Sequence, residues 1–207
     1  MLHRSKVFVV DDDPEIRRSF EWLAGSIDLA VETFGSASEF LDSVEPDQPG
    51  CLVLDVRMAG MGGLELQSVM QEHGYSLPVI MVTGYGDVPT AVRAMKRGAA
   101  EFVEKPYNDQ FMLDRIQDCL EKDNQVRDAL ERRSKMRARI DRLTRREKQV
   151  LELISNGLSN KQAAHELGIS ARTVEVHRAN AMTKLEVRTV AEMVKVLEQS
   201  RSPAELY

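Results

Sequence analysis

CLVLDVRMAGMGGLEL, residues 51–66, opens on four apolar residues, Cys51 to Leu54, that run directly into a carboxylate, Asp55. Four comparable runs stand around it at fairly even intervals: Val7 to Val10, Ala30 to Phe34, Val79 to Val82, and Glu101 to Val103. Their shortness and β-branched content suit strands of a buried sheet. Helix signals lie between them: Asp13 before Pro14, the capping box Ser36 to Glu39, Asp87 before Pro89, and terminating glycines at Gly25, Gly74 and Gly98. Strand and helix alternate, which predicts an α/β unit whose parallel sheet is covered on both faces.

Polar residues sit just past these runs: Asp11, Asp12 and Asp13 after the first, Asp55 after the third, Thr83 after the fourth and Lys105 after the fifth. All lie at carboxyl ends, where an open parallel sheet binds ligands at the point of strand-order reversal. Clustered carboxylates repel one another and stay ionised only beside a cation. Mg²⁺ suits such a site, being a hard ion that accepts one or two carboxylates and keeps waters, with Mn²⁺ or Ca²⁺ able to take its place. A carboxylate held there is a nucleophile toward phosphorus, and the Lys105 ammonium and Thr83 hydroxyl would stabilise the transferred oxygens. Taken singly, each residue has an ordinary explanation: Asp13 as a helix cap, Asp55 as a turn former, Thr83 as a strand residue, Lys105 as a solvated charge. Their joint placement points to a site.

Through VFVVDDD, CLVLDVRMAGMGGLEL, VIMVTGYGDV and AAEFVEKPY, residues 5 to about 120 resemble the receiver family of two-component systems. The resemblance implies a flavodoxin-like (βα)5 fold with a five-stranded parallel sheet, a sensor histidine kinase as partner, and Asp55 as phosphoacceptor. It further implies an acidic pocket of Asp11 and Asp12, with Mg²⁺ held by Asp12, Asp55 and the backbone carbonyl of Arg57, and by Asp11 indirectly. Thr83 and Lys105 would contact the phosphoryl group, Phe102 stands at the aromatic switch position, and the bond before Pro106 is expected to be cis. Ala59 replaces a proline common in the loop after the phosphoacceptor. Arg57 and Tyr85, two residues beyond Asp55 and Thr83, would flank the path of attacking water.

The formal charge of the 207 residues is −5, but it is unevenly spread. Residues 1–122 carry 11 Lys and Arg against 21 Asp and Glu, a net −10, whereas residues 123–207 carry 17 against 12, a net +5. The second half is the nucleic-acid candidate. Two cysteines, Cys51 and Cys119, indicate neither a disulfide framework nor a zinc cluster. With no apolar stretch of about 18 residues, no membrane association is expected and the location expected is cytoplasmic. From Tyr107 to Asn156 there is no Gly or Pro, so that stretch should be largely helical. Val126, Leu130, Arg133, Met136, Ile140 and Leu143 recur at roughly heptad spacing, compatible with an amphipathic linker on its own domains or with a dimeric coiled coil.

Beyond the linker, caps at Thr144 with Glu147, Ser159 with Gln162, Ser170, and Thr189 with Glu192 predict four short helices and no strand. Ala164 and Gly168 mark a tight helix-turn-helix. Val174, His177, Ala181 and Leu185 form an inward stripe on the next helix. Arg172, Thr173, Glu175, Val176, Arg178, Ala179 and Thr183 are left to meet a major groove, with Lys161, Lys184 and Arg188 placed for phosphates. A charged face on a protein-binding bundle is the plainer reading of the same residues.

LTRREKQVLELISNGLSNKQAAHELGISARTVEVHRANAMTKL is similar to the LuxR-type output domain of FixJ/NarL regulators. That similarity implies transcriptional control through double-stranded promoter DNA, contact with RNA polymerase, and a homodimer formed on phosphorylation. Candidate dimer residues are Val92, Lys96, Arg97 and Glu101 in the first half and Val190, Met193, Val194 and Leu197 in the last helix. The expected organisation is a receiver over 1–121, a helical linker over 122–138 and a helix-turn-helix domain over 139–207. No enzymatic turnover is expected beyond the chain's own phosphorylation and dephosphorylation: an aspartyl-phosphate enzyme would need an acidic residue where Arg57 stands. A phosphorelay intermediate with a protein-binding output is the other alternative.

Overall fold

The computed structural model describes residues 5–201. The chain divides into two compact units, Met1–Arg127 and Asp128–Tyr207, each with its own core. In the first, β1 (Lys6–Val10), α1 (Pro14–Gly25), β2 (Val31–Phe34), α2 (Ala37–Ser43), β3 (Gly50–Asp55), α3 (Gly63–Glu72), β4 (Val79–Thr83), α4 (Val88–Lys96) and β5 (Glu101–Glu104) alternate before α5 (Asp109–Asp141) begins. Every expected apolar run is a strand. All pairings are parallel, in the order β2-β1-β3-β4-β5. Strand order reverses between β1 and β3, so the crevice opens just beyond Val10 and Asp55.

Period-two alternation divides the sheet between two cores. Phe8, Val10, Leu52, Leu54 and Met81 face one side, under Phe40 of α2, Leu66 of α3 and Ala94 of α4. Val7, Val9, Val53, Ile80 and Val82 face the other, under Phe20 of α1 and Ile116 and Leu120 of α5. Burial of each such side chain contributes about 1.5–3 kcal/mol, so a charge at Leu52 or Ile80 would undo one face. Local signals set the helix starts. Asp13 accepts from the Glu15 amide at 2.8 Å and Asp87 from the Thr90 amide at 2.6 Å. The box at Ser36 is half made: Ser36 caps the Glu39 amide, but the Glu39 carboxylate takes the Gly35 amide at 2.7 Å. Gly74 and Gly98 turn the chain at positive φ, whereas Gly25 closes α1 as a helical residue and Asp28 takes the left-handed turn at φ 58°.

The remainder of α5, then α6 (Arg145–Ser155), α7 (Asn160–Leu167), α8 (Ala171–Leu185) and α9 (Val190–Arg201) make the second unit. The stretch free of Gly and Pro is interrupted after Asp141 because Thr144 and Glu147 form a complete capping box and start a new helix. Val150, Leu151, Ile154, Ala163, Val174, Ala181 and Leu185 fill the core, with Met136 and Ile140 of α5 packed on it. Gly168 at φ 64° ends α7 and makes the turn into α8.

The expected linker lies inside α5, and its first part is anchored to unit 1. Buried Asp123 accepts from the Gly50 amide at 3.0 Å and from Arg127 Nε at 2.7 Å. Arg127 in turn donates to the carbonyls of Asp47 and Gln48 at 2.5 and 2.6 Å. Among the described residues no helix is long and apolar enough to cross a membrane.

Candidate functional site

The strand ends bring Asp11, Asp55, Thr83 and Lys105 together. Lys105 Nζ bridges Asp11 Oδ2 and Asp55 Oδ1 at 2.8 Å each, joining the ends of β5, β1 and β3. Asp11 and Asp55 are 4% and 7% exposed, so neither carboxylate has water to spread its charge. The other Asp55 oxygen accepts the Arg57 amide at 2.7 Å. Burial pushes the Asp55 carboxyl above its ordinary value, with the Asp11 charge adding to it, and the hydrogen bond and charge of Lys105 only partly oppose this. For Lys105, burial alone would lower the ammonium; the bonds to Asp11 and Asp55 outweigh it and raise the group.

Asp11 is fixed from its own loop, its Oδ1 accepting the Asp13 amide at 2.9 Å. Asp12 is exposed and reaches across to the loop after β3, accepting the Ala59 amide at 3.0 Å. Among the described residues no three Asp, Glu, His or Cys side chains converge as a closed cage. The donor set still suits Mg²⁺, which takes only one or two carboxylates and completes its shell with carbonyl and water oxygens. Gly63 belongs to the site and escaped the sequence reading: a Cβ there would lie 2.2 Å from the Asp55 carbonyl oxygen, so only glycine lets α3 start against the end of β3. The doublet Gly62-Gly63 was the available signal.

Thr83 is 1% exposed, and its hydroxyl is turned into its own loop, donating to the Tyr85 carbonyl and accepting the Tyr85 amide at 3.2 Å each. The Arg57 guanidinium lies over the Tyr85 ring, 5.1 Å from its centroid. Phe102 is half-buried against the core beneath α4, and the Lys105–Pro106 bond is cis. Of the first unit's dimer candidates, Val92 and Lys96 are exposed on α4, whereas Arg97 is tied to the Leu64 carbonyl at 2.8 Å and Glu101 is paired with Arg115 at 3.9 Å.

In the second unit, α8 presents Arg172, Glu175, Val176, Ala179 and Thr183 to solvent, and Lys161 is exposed at the start of α7. Arg172 and Glu175 pair at 3.2 Å. The Thr173 amide donates to the Ser170 hydroxyl at 3.0 Å, and half-buried Arg178 donates to Asn160 Oδ1 at 3.2 Å. Val190 is exposed, and Val194 and Leu197 are half-buried against the core.

Two expectations need correction. The Lys184 ammonium does not stand free for a phosphate: it binds both oxygens of buried Glu147, at 2.8 and 2.7 Å, because that carboxylate has no water to balance it. Met193 is fully buried in its own core, so it is no dimer surface; its spacing from Val196 places both on the face of α9 that packs inward. The buried role of Glu147 was hidden behind its capping box, since its partner lies 37 residues away.

Residues 7–117 match the response regulator receiver domain, and residues 141–197 match the bacterial regulatory proteins of the luxR family. The chain is a response regulator. Transcriptional regulatory protein FixJ of Azorhizobium caulinodans is 46% identical over 92% of this chain and 90% of its own length. The solved structure of response regulator StyR has 46% identity and a TM-score of 0.90, covering 95% of this chain and 99% of that one. Full-length FixJ from B. japonicum gives 38% identity and a TM-score of 0.59, covering 95% and 97%. This response regulator thus joins a flavodoxin-like receiver to a LuxR-type helical DNA-binding domain, the architecture of a phosphorylation-dependent transcriptional regulator.

Proposed function

We propose that Asp55 accepts a phosphoryl group from a phosphohistidine of a sensor histidine kinase and that the phosphorylated protein binds promoter DNA through α8. The observation that carries this is the Lys105 bridge, 2.8 Å to each of two buried carboxylates at the sheet's switch point. One Asp55 oxygen attacks phosphorus; the new O–P bond forms as the P–N bond to the kinase histidine breaks, and that nitrogen recovers a proton from solvent. Asp12, Asp55 and the Arg57 carbonyl would hold Mg²⁺, assisted indirectly by Asp11, with Mn²⁺ or Ca²⁺ as substitutes. Bound there, the ion neutralises the carboxylates and the transferred oxygens. Lys105 keeps one cation on the phosphoryl group, and Thr83 exchanges its Tyr85 partner for a phosphoryl oxygen. Phe102 then turns inward, remodelling the surface at Val92, Lys96, Arg97 and Glu101.

Pairing of two receivers places two DNA-binding domains within reach of paired half-sites, raising their effective concentration without new base contacts. Arg172, Glu175, Val176, Arg178 and Ala179 would meet base edges, Lys161 a phosphate, with RNA polymerase recruited at the promoter in the cytoplasm. Val190, Val194 and Leu197 would supply the DNA-bound dimer contact. Incubation with acetyl phosphate and Mg²⁺ should add one phosphoryl group by intact mass, and Asp55→Asn should abolish it. Unchanged labelling of that variant would overturn the assignment.

A further inference from the structure

Eight of the fifteen residues from 132 to 146 are Arg or Lys, seven of them Arg, against Asp141 alone. A helix solvated for its own sake balances such charges with partners one turn away, and here this is done only in part. Lys135 pairs with Glu131, Arg137 with Asp141, and Arg139 with Glu186 at the end of α8. Arg132, Arg142 and Arg145 are exposed and have no ion-pair partner among the described residues. The preference for Arg also matters, because lysine is as good a helix former but only the guanidinium fork matches phosphate oxygens two at a time.

This surplus is placed beside the recognition helix. Glu147 binds Lys184 and Glu186 binds Arg139, so the end of α5 and the start of α6 both adjoin the carboxyl end of α8. Arg142 and Arg145 lie in the segment between those two contacts. The 15 residues of α8 span about 22 Å, whereas a major groove is only about 12 Å wide. A helix seated in the groove therefore brings its ends, and whatever adjoins them, to the flanking phosphates. Resting on the reading of α8 as a DNA-binding helix, we infer that the basic end of α5 and the start of α6 form an accessory surface for the DNA backbone, with Arg142 and Arg145 as phosphate contacts that add affinity without sequence information. Charge complementarity selects duplex DNA, since the eight cations of residues 132–146 far outnumber the one carboxylate among them, Asp141.

The test is the salt dependence of binding of the full-length chain to a random-sequence 30-base-pair duplex. Each phosphate contact contributes about 0.9 to the slope of log affinity against log salt. Arg142→Gln with Arg145→Gln should make the slope shallower by about 1.8. Arg142→Lys with Arg145→Lys should keep it, and Lys161→Gln serves as a control within the helix-turn-helix. Circular dichroism shows that each variant is folded, and any that is not is replaced by the corresponding single substitution. A wild-type slope in the glutamine pair, alongside a reduced slope for Lys161→Gln, overturns the inference and assigns the cations to an acidic protein surface. Absence of salt-dependent binding in the wild-type chain overturns the DNA reading of α8 itself, and this inference with it.

Discussion

Replacement of Lys184 by methionine removes the cation that sits 2.7 Å from Glu147 while keeping most of the aliphatic stem. The carboxylate is 4% exposed and the lysine 34%, so the pair is dry on one side and wet on the other. Breaking a fully buried pair from one end costs about 3–5 kcal/mol; water reaching the lysine side reduces this to about 2–3 kcal/mol, or roughly 30- to 150-fold in the folding constant. Urea titration of the helical unit's transition in the full-length chain measures it. The pH dependence carries the sign. Burial pushes Glu147 up, but Lys184 and the Thr144 amide together hold it below its ordinary 4.5. Its contribution is therefore present above that value and lost as pH falls through the lower folded value. Without Lys184, burial dominates, the folded carboxyl rises, and the gap between variant and wild type should narrow as pH falls from neutral toward the ordinary carboxylate range. Adding Glu147→Gln to Lys184→Met should recover most of the stability, since no charge is then stranded. The salt slope of DNA binding in that pair should stay at the wild-type value. A single variant within about 0.5 kcal/mol of wild type, or a double variant whose slope drops by about 0.9, would refute the structural role given to this pair.

Other outcomes follow from the receiver. Asp55→Asn should raise stability at neutral pH, because burial and Asp11 disfavour the ionised carboxyl; the gain should vanish as pH falls through the raised folded value, as thermal melts at several pH values would show. Arg57→Ala and Tyr85→Ala each dismantle the stacked pair at the mouth of the crevice and should change the lifetime of the phosphorylated form, read by loss of label over time. Unchanged lifetimes in both would show that the pair does not flank the path of attacking water. Burial pushes the Cys119 thiol up to about 11 and raises Cys51 further from reactivity, so neither should label with iodoacetamide in the native protein at pH 8, and both should after denaturation.

The receiver was legible because its signals are local. A carboxylate, hydroxyl or ammonium placed directly after an apolar run needs only the alternation of strand and helix to be brought to the crevice, and Asp11, Asp55, Thr83 and Lys105 all arrive that way. Caps were legible for the same reason, each being written within four residues. What the sequence concealed depends on partners distant along the chain. Nothing near Lys184 announces Glu147, and a lysine at the end of a recognition helix reads as a phosphate contact until the buried carboxylate is seen. Met193 looks like any apolar residue of a terminal helix until packing shows which face of α9 turns inward. The hydroxyl of Thr83 was placed correctly but not aimed, because its loop partner Tyr85 competes for the same two bonds.

The anchor at Asp123 and Arg127 has a consequence for how such proteins are assembled from parts. It ties α5 to the amino-terminal edge of β3, on the side of the sheet remote from Asp55, through Gly50, Asp47 and Gln48. A gene fusion that joined a new output after residue 121 would strip the Gly50 amide of its acceptor and leave two loop carbonyls without their guanidinium. One that joined it after Arg127 would carry the whole lock along. The seam at which this receiver can be recombined with another output therefore lies two turns further along the helix than the end of its apolar pattern, and Arg127 marks it.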